Sequence, residues 1–277
     1  MTSNNKFGGD WTQKKIEIIT SYTSAYLTIM AGQKFKLLYF DGFAGSGEIE
    51  TINEEAVTGA AIRIMDIGKP AGFDMYYFVE LVKKYADNLR STIAKRYGTS
   101  KKYYVINSDF EKKIDSLVSF LCREENKYYR VLAFVDPKGM QVRWKSLEKL
   151  QGHGIDMWIL VPIGMGVTRL LTKDGELSDE WILKLNDFLG MSKEEVLKYF
   201  YFPPQTDLFG DVSTKRHKHV VDKAAKLYQE KLNTVFKFVS KGFVLKNSKN
   251  SPMYHFFLAS NNKNAVKIAN EVMNKYI

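Results

Sequence analysis

The chain has 277 residues, 45% of them apolar, which allows one large α/β domain or two small ones around a sizeable core. No run of about 18 apolar residues occurs and the start leads into no hydrophobic signal-type segment, so the expectation is no membrane span, no export by that route and a cytoplasmic protein. The single cysteine, Cys122, excludes a disulfide or a cysteine-built metal site within one chain, while a net charge of +10 fits either contact with a phosphate backbone or an ordinary lysine-rich surface.

Residues 1–10 are polar and read as loose. From Trp11 to about Met30, Ile16, Ile19, Tyr22, Tyr26 and Met30 recur at three- and four-residue steps. That spacing predicts a helix over 11–31, stopped by Gly32. This helix precedes the first strand and is placed to lie over a ligand mouth. Lys14 and Lys15 are candidates for that mouth, although a solvated face is the preferred reading of both. Lys36–Phe40 is then a buried strand that ends in the turn Asp41-Gly42-Phe43-Ala44-Gly45-Ser46-Gly47. Gly45 and Gly47 can take backbone angles closed to other residues and let the chain approach a ligand. The pattern D-x-F-x-G-x-G resembles the first motif of S-adenosylmethionine-dependent methyltransferases, particularly those acting on exocyclic amino groups of nucleic-acid bases. It fits the dinucleotide pattern G-x-G-x-x-G less well, because the third glycine and its following helix are missing. A plain tight turn is the alternative.

Glu48–Val57 is polar and reads as a loop, followed by a helix from about Thr58 to Ile67. Met75–Val79 is the second strand, and Glu80 stands at its end. A carboxylate there can accept hydrogen bonds from both ribose hydroxyls of a nucleoside cofactor; a helix-start charge is the other reading. Lys83–Tyr97 is an amphipathic helix and Tyr103–Ile106 the third strand. Asp109 follows, placed beside an adenine, as the N-cap of a helix over Phe110–Arg123, or as both. Cys122 reads as a packing residue. Tyr129–Val135 is a fourth buried strand ending in Asp136-Pro137-Lys138-Gly139. Methyltransferases of amino groups carry an Asp-Pro-Pro-aromatic sequence at such a strand end, where the acid and a carbonyl hold the amino group and the aromatic stacks on the base. The first two positions agree here. The aromatic is absent, and Lys138 is a candidate for a phosphate contact. A strand-ending turn is the plain reading of Asp136-Pro137.

Trp144–Leu150 makes a further helix, with Trp144 packing, and Met157–Pro162 the fifth strand, after which Gly164 and Gly166 open a flexible turn. His153 reads as a surface loop residue. The segment 165–235 is the expected helical insertion and substrate-recognition region, helical from Ser178 to Phe200 and broken at Pro203-Pro204. Lys215-Arg216-His217-Lys218-His219 is the densest basic run. Lys215, Arg216 and Lys218 are candidates for phosphate contact, with a solvated helix start as the alternative. His217 and His219 lack partners spaced for a metal, so no metal is expected. A helix follows over Val220–Leu232. Phe236–Leu245 and Met253–Ala259 read as an antiparallel hairpin, with His255 a strand residue whose ring is satisfied, and Asn264–Tyr276 closes as a helix.

Strands alternating with helices predict one α/β domain over 1–277, a Rossmann-like methyltransferase fold whose mostly parallel seven-stranded sheet ends in that hairpin. Asp41, Glu80, Asp109 and Asp136 then fall at four successive strand ends. The leading helix, Tyr39–Gly47, Phe134–Gly139 and Tyr254-His255-Phe256-Phe257-Leu258-Ala259-Ser260-Asn261 are together similar to the three-Cys-motif partner proteins. Members of that family show Asp-Pro-Phe-Gly where this chain has Asp136-Pro137-Lys138-Gly139. The resemblance implies methyl transfer and a protein partner with a three-cysteine motif, resembling radical enzymes. The expected cofactor is S-adenosylmethionine, with Asp41, Phe43, Ala44, Gly45, Gly47, Glu80 and Asp109 holding it. Asp136 and Pro137 would orient an amino acceptor, most simply on RNA or DNA. A non-catalytic module that binds nucleic acid or a protein is the alternative; a nicotinamide-dependent oxidoreductase is disfavoured by the glycine spacing.

Overall fold

The computed structural model describes residues 10–50, 56–206, 208–209 and 212–277. The polar leader at 1–9 and the middle of the polar loop at 51–55 lie outside the described residues. Helix α1 (Asp10–Met30) leads into β1 (Lys36–Asp41), whose last five residues are all buried. Such unbroken burial requires cover on both faces, as in a central parallel strand. Leu38 and Phe40 face one core, while Leu37 and Tyr39 face the other with Ile18, Ile19, Tyr22 and Leu27 of α1.

Four more parallel strands follow, each behind a helix. Helix α2 (Ala60–Asp66) precedes β2 (Met75–Glu80), α3 (Lys83–Tyr97) precedes β3 (Tyr103–Asn107), α4 (Phe110–Leu121) precedes β4 (Tyr129–Val135), and α5 (Trp144–Glu148) precedes β5 (Ile155–Val161). Two helices, α6 (Asp179–Leu189) and α7 (Lys193–Phe200), come next, and α8 (Val220–Val235) returns the chain to the sheet. The last strands are β6 (Phe238–Val239), β7 (Phe243–Lys246) and β8 (Pro252–Ser260), before α9 (Lys263–Asn274). Strand order is β3-β2-β1-β4-β5-β8, with β6 and β7 both antiparallel to β8 on its outer edge. Strand β8 runs antiparallel to β5. This is the expected Rossmann-like architecture with a mostly parallel sheet and an antiparallel end, and its chain direction puts the ends of β1 to β5 along one edge.

Several expectations are corrected. Among the described residues the sheet has eight strands, because the predicted strand over Phe236–Leu245 breaks at Ser240-Lys241-Gly242. There the Ser240 amide donates to the Leu258 carbonyl and the Ser240 hydroxyl accepts from the Leu258 amide, both at 2.8 Å. The polar stretch after the glycine turn includes a short antiparallel ribbon, Glu48–Glu50 with Ala56–Thr58. The helical stretch expected from Ser178 to Phe200 is made of two helices. Gly190 ends the first in the left-handed conformation and the Ser192–Glu195 capping box starts the second. Gly164 and Gly166 lie in a π-helical turn (Ile163–Val167) rather than a flexible loop. A Cβ on Gly164 would stand 1.9 Å from the Pro252 carbonyl oxygen, so β8 packs against bare backbone there. Cys122 is the exposed cap residue of α4, not a packing residue. The His255 ring is buried without a partner for Nδ1, so the expectation of a satisfied ring fails.

Candidate functional site

The turn after β1 is held by the strand ends beside it. The Asp41 carboxylate accepts from the Phe43 amide at 3.1 Å, and the Ala44 amide donates to the Val79 carbonyl at 2.9 Å. Gly45 and Gly47 have φ of 67° and 85°, the left-handed region that a side chain makes costly. The Phe43 ring stacks on Phe110 at 5.1 Å, tying the turn to the start of α4.

Glu80 joins the first strand end to the second. One carboxylate oxygen accepts from the Gly45 amide at 2.9 Å and the other from the Val82 amide at 2.8 Å. Each oxygen retains a further lone pair for a ligand hydroxyl. Asn107 at the end of β3 donates to the Glu80 and Leu81 carbonyls at 3.0 and 2.7 Å, a bracing role that sequence reasoning missed. Leu81 and Val82 stand exposed beside Glu80, an apolar shelf next to an acid. Asp109 caps α4 through a 2.8 Å bond from the Glu111 amide, which establishes the capping reading.

Asp136 and buried Pro137 follow β4. The Asp136 carboxylate pairs with the Lys15 ammonium of α1. Lys15 is only 6% exposed, so the solvated face preferred for it is corrected. Its ammonium lies 5.4 Å from the centre of the Trp11 ring, one helical turn back, and Trp11 stacks on Tyr254 of β8 at 5.2 Å. The only sequence signal was Lys15 four residues after Trp11 on a helix already suspected of covering the mouth. Lys138 has its ammonium 5.6 Å from the Tyr85 ring, and its carbonyl accepts from the Tyr254 hydroxyl at 3.4 Å.

These contacts bring Asp41, Glu80 and Asp136 to one edge with a single buried ammonium among them. Burial, reinforced by the Asp136 and Glu80 charges, pushes the Asp41 carboxyl up to about 8, against the opposing pull of the Phe43 amide and Lys15. Asp41 is therefore protonated at neutral pH and Lys15 offsets Asp136, which leaves Glu80 as the acid of the three without a compensating proton or cation.

The basic run packs against the segment that follows β5. Arg216 sits in a bridge to Tyr201, and its guanidinium donates to the Thr168 and Leu171 carbonyls, so it clamps the segment after β5 instead of facing outward. Lys215 and Lys218 are exposed. The His217 ring packs 3.9 Å from Phe202, and among the described residues no group of three or more His, Cys, Asp or Glu is arranged to hold a metal. A cavity of about 760 Å³ lies at the opposite end of the strands, lined in part by Arg130, His153 and Lys237. It contains none of the predicted site residues. No described helix is long and apolar enough to cross a membrane.

No family model matches the chain, and no curated protein matches it. Among solved structures it is similar to Trm1 from Pyrococcus horikoshii in complex with S-adenosyl-L-methionine, with 9% identity and a TM-score of 0.48, covering 98% of this chain and 60% of that one. DszA carbon methyltransferase is 11% identical with a TM-score of 0.47, over 92% of this chain and 55% of that one. Protein LPL1258 from Legionella pneumophila is 15% identical with a TM-score of 0.42, over 90% and 97% of the two chains.

Proposed function

We propose that this chain is an S-adenosylmethionine-dependent methyltransferase whose acceptor is an amino group, on RNA or DNA in the simplest case. The observation that carries the reading is the Glu80 bridge. It fastens the left-handed glycine turn of β1 to the acid ending β2, at the sheet edge where such folds take nucleotides. The residues fit the donor. The glycine turn offers bare backbone to its amino-acid part, Glu80 offers free lone pairs to two ribose hydroxyls, and Leu81 and Val82 offer apolar contact to a purine. Asp109 stands at the next strand end, its Oδ1 engaged by the cap. When bound, S-adenosylmethionine would supply a methyl carried on a sulfonium.

Asp136 would accept a hydrogen bond from the acceptor nitrogen and take up the proton that nitrogen sheds on methylation. Pro137 fixes the local backbone, so catalysis is chiefly positioning. The test is calorimetry with S-adenosylmethionine and with NAD. Saturable heat with the first alone is expected, weakened by Glu80→Ala. No heat with S-adenosylmethionine at concentrations well above micromolar overturns the reading.

A second reading is a binding module that keeps the fold without turnover. The pairing of Asp136 with Lys15 favours it, because the acceptor's carboxylate is already engaged. The segment 165–235 would serve substrate recognition, with Lys215 and Lys218 on its exposed surface and Lys138 near the acceptor. The resemblance to three-Cys-motif partner proteins adds a protein partner with a three-cysteine motif, which co-purification on co-expression would test.

A further inference from the structure

The Lys15 ammonium takes no part in the chemistry above, yet it is a buried charge at the one carboxylate assigned to the acceptor. We propose that Lys15 is an internal plug in an amine subsite: its ammonium stands where the acceptor's amino group binds, and the acceptor enters by displacing it from Asp136. The word acceptor rests on the methyltransferase reading; the amine subsite itself does not.

Three observations support this. First, the Lys15 nitrogen is bonded to an Asp136 oxygen and lies 5.4 Å from the Trp11 ring centre. A carboxylate on one side and an aromatic face on the other is the arrangement that recognises amines and ammonium groups. Second, the aromatic wall is built from outside the strand-end motif. Trp11 stacks on Tyr254 with ring planes 27° apart, and the Tyr254 hydroxyl reaches the Lys138 carbonyl in the loop that carries Asp136. The aromatic absent from Asp136-Pro137-Lys138-Gly139 is thus replaced by rings from α1 and β8. Third, the two partners differ in exposure. The Asp136 side chain is 20% exposed and that of Lys15 is 7% exposed, so an incoming amine can reach the carboxylate while the lysine cannot simply stay solvated in place. A flexible four-carbon stem lets Lys15 withdraw by rotation without unwinding α1. Its ammonium keeps Asp136 from being an uncompensated, partly buried charge.

The test removes the plug and refills the space. Full-length Lys15→Ala is titrated with ethylammonium and butylammonium chloride, against sodium chloride at matched ionic strength, and thermal unfolding is followed. S-adenosylmethionine binding is measured in parallel on wild type and variant. The expected result is saturable stabilisation of Lys15→Ala by the alkylammonium ions, little effect on wild type, and binding about tenfold or more weaker when Asp136→Asn is added. If Lys15→Ala does not fold, Lys15→Met keeps the stem against Trp11 and leaves a smaller vacancy, for which methylammonium is the probe. No saturable stabilisation in whichever variant folds, with donor binding intact, overturns the plug. Loss of S-adenosylmethionine binding in the Lys15 variant also overturns it, and assigns Lys15 to the donor side. Failure of wild type to bind S-adenosylmethionine removes the methyltransferase reading alone, since the alkylammonium titration needs no donor.

Discussion

Asp41 offers the sharpest test of the site's electrostatics. Its carboxyl is buried at the end of β1 and rises from an ordinary value near 3.8 to about 8. The folded chain therefore holds a proton on Asp41 that the unfolded chain releases across the acid and neutral range. Stability from this group is complete below about pH 4 and declines as pH rises through the folded value. The slope is about 1.4 kcal/mol per pH unit between about 4 and 8. From about pH 5.5 to 7.5 the loss is on the order of 2–3 kcal/mol, or roughly 5 °C in Tm for a chain of this size. Asp41→Asn removes the titration while keeping the contacts: its carboxamide oxygen can still accept from the Phe43 amide, and its NH2 can donate toward the Tyr39 hydroxyl. Urea unfolding of both proteins across this range should show the variant gaining on wild type as pH rises, crossing to the more stable form near neutrality. Parallel curves would mean that Asp41 ionises normally, and the argument from burial and neighbouring acids would be wrong.

The buried His255 predicts the opposite limb. Burial holds its ring down to about 4, so stability is full above pH 6.5 and is lost as pH falls toward 4, by up to about 3 kcal/mol; His255→Leu should flatten that acid decline in the same titration. Gly164→Ala drives a methyl group into the Pro252 carbonyl and should cost more than about 2 kcal/mol in urea unfolding, and a neutral result would show that β8 can move away. For any nucleic acid that binds, Lys215→Ala with Lys218→Ala should lower the slope of log affinity against log salt by about 2, and an unchanged slope rejects that surface. Arg216→Ala should instead lower stability, measurable as a drop in Tm, because its guanidinium clamps the Thr168 and Leu171 carbonyls.

Local signals carried most of the fold. Near-continuous apolar runs such as Leu37–Phe40 and Val131–Val135 read as parallel strands because strands covered on both faces need no polar alternation. Where the reading slipped, a tertiary contact overrode a local pattern. Phe236–Leu245 looks like one strand, yet Ser240 takes over the bonding to Leu258 and splits it. Gly164 and Gly166 look like a flexible turn, and against β8 they form a packed π-helical turn. Lys215, Arg216 and Lys218 are equivalent as a charge run; only the fold turns Arg216 inward and leaves the other two in solvent.

For the site, the sequence by itself determined that acids and a glycine turn fall at strand ends, because strand order and direction follow from patterns a few residues long. It also determined that no aromatic follows Asp136-Pro137. Only the tertiary structure decided that Glu80 reaches back to Gly45, and that Lys15, 121 residues before Asp136, closes on its carboxylate beside Trp11 and Tyr254. Those contacts join groups far apart in the chain. Nothing in the local pattern of a helix says which of two neighbouring lysines will turn inward to neutralise a partly buried acid.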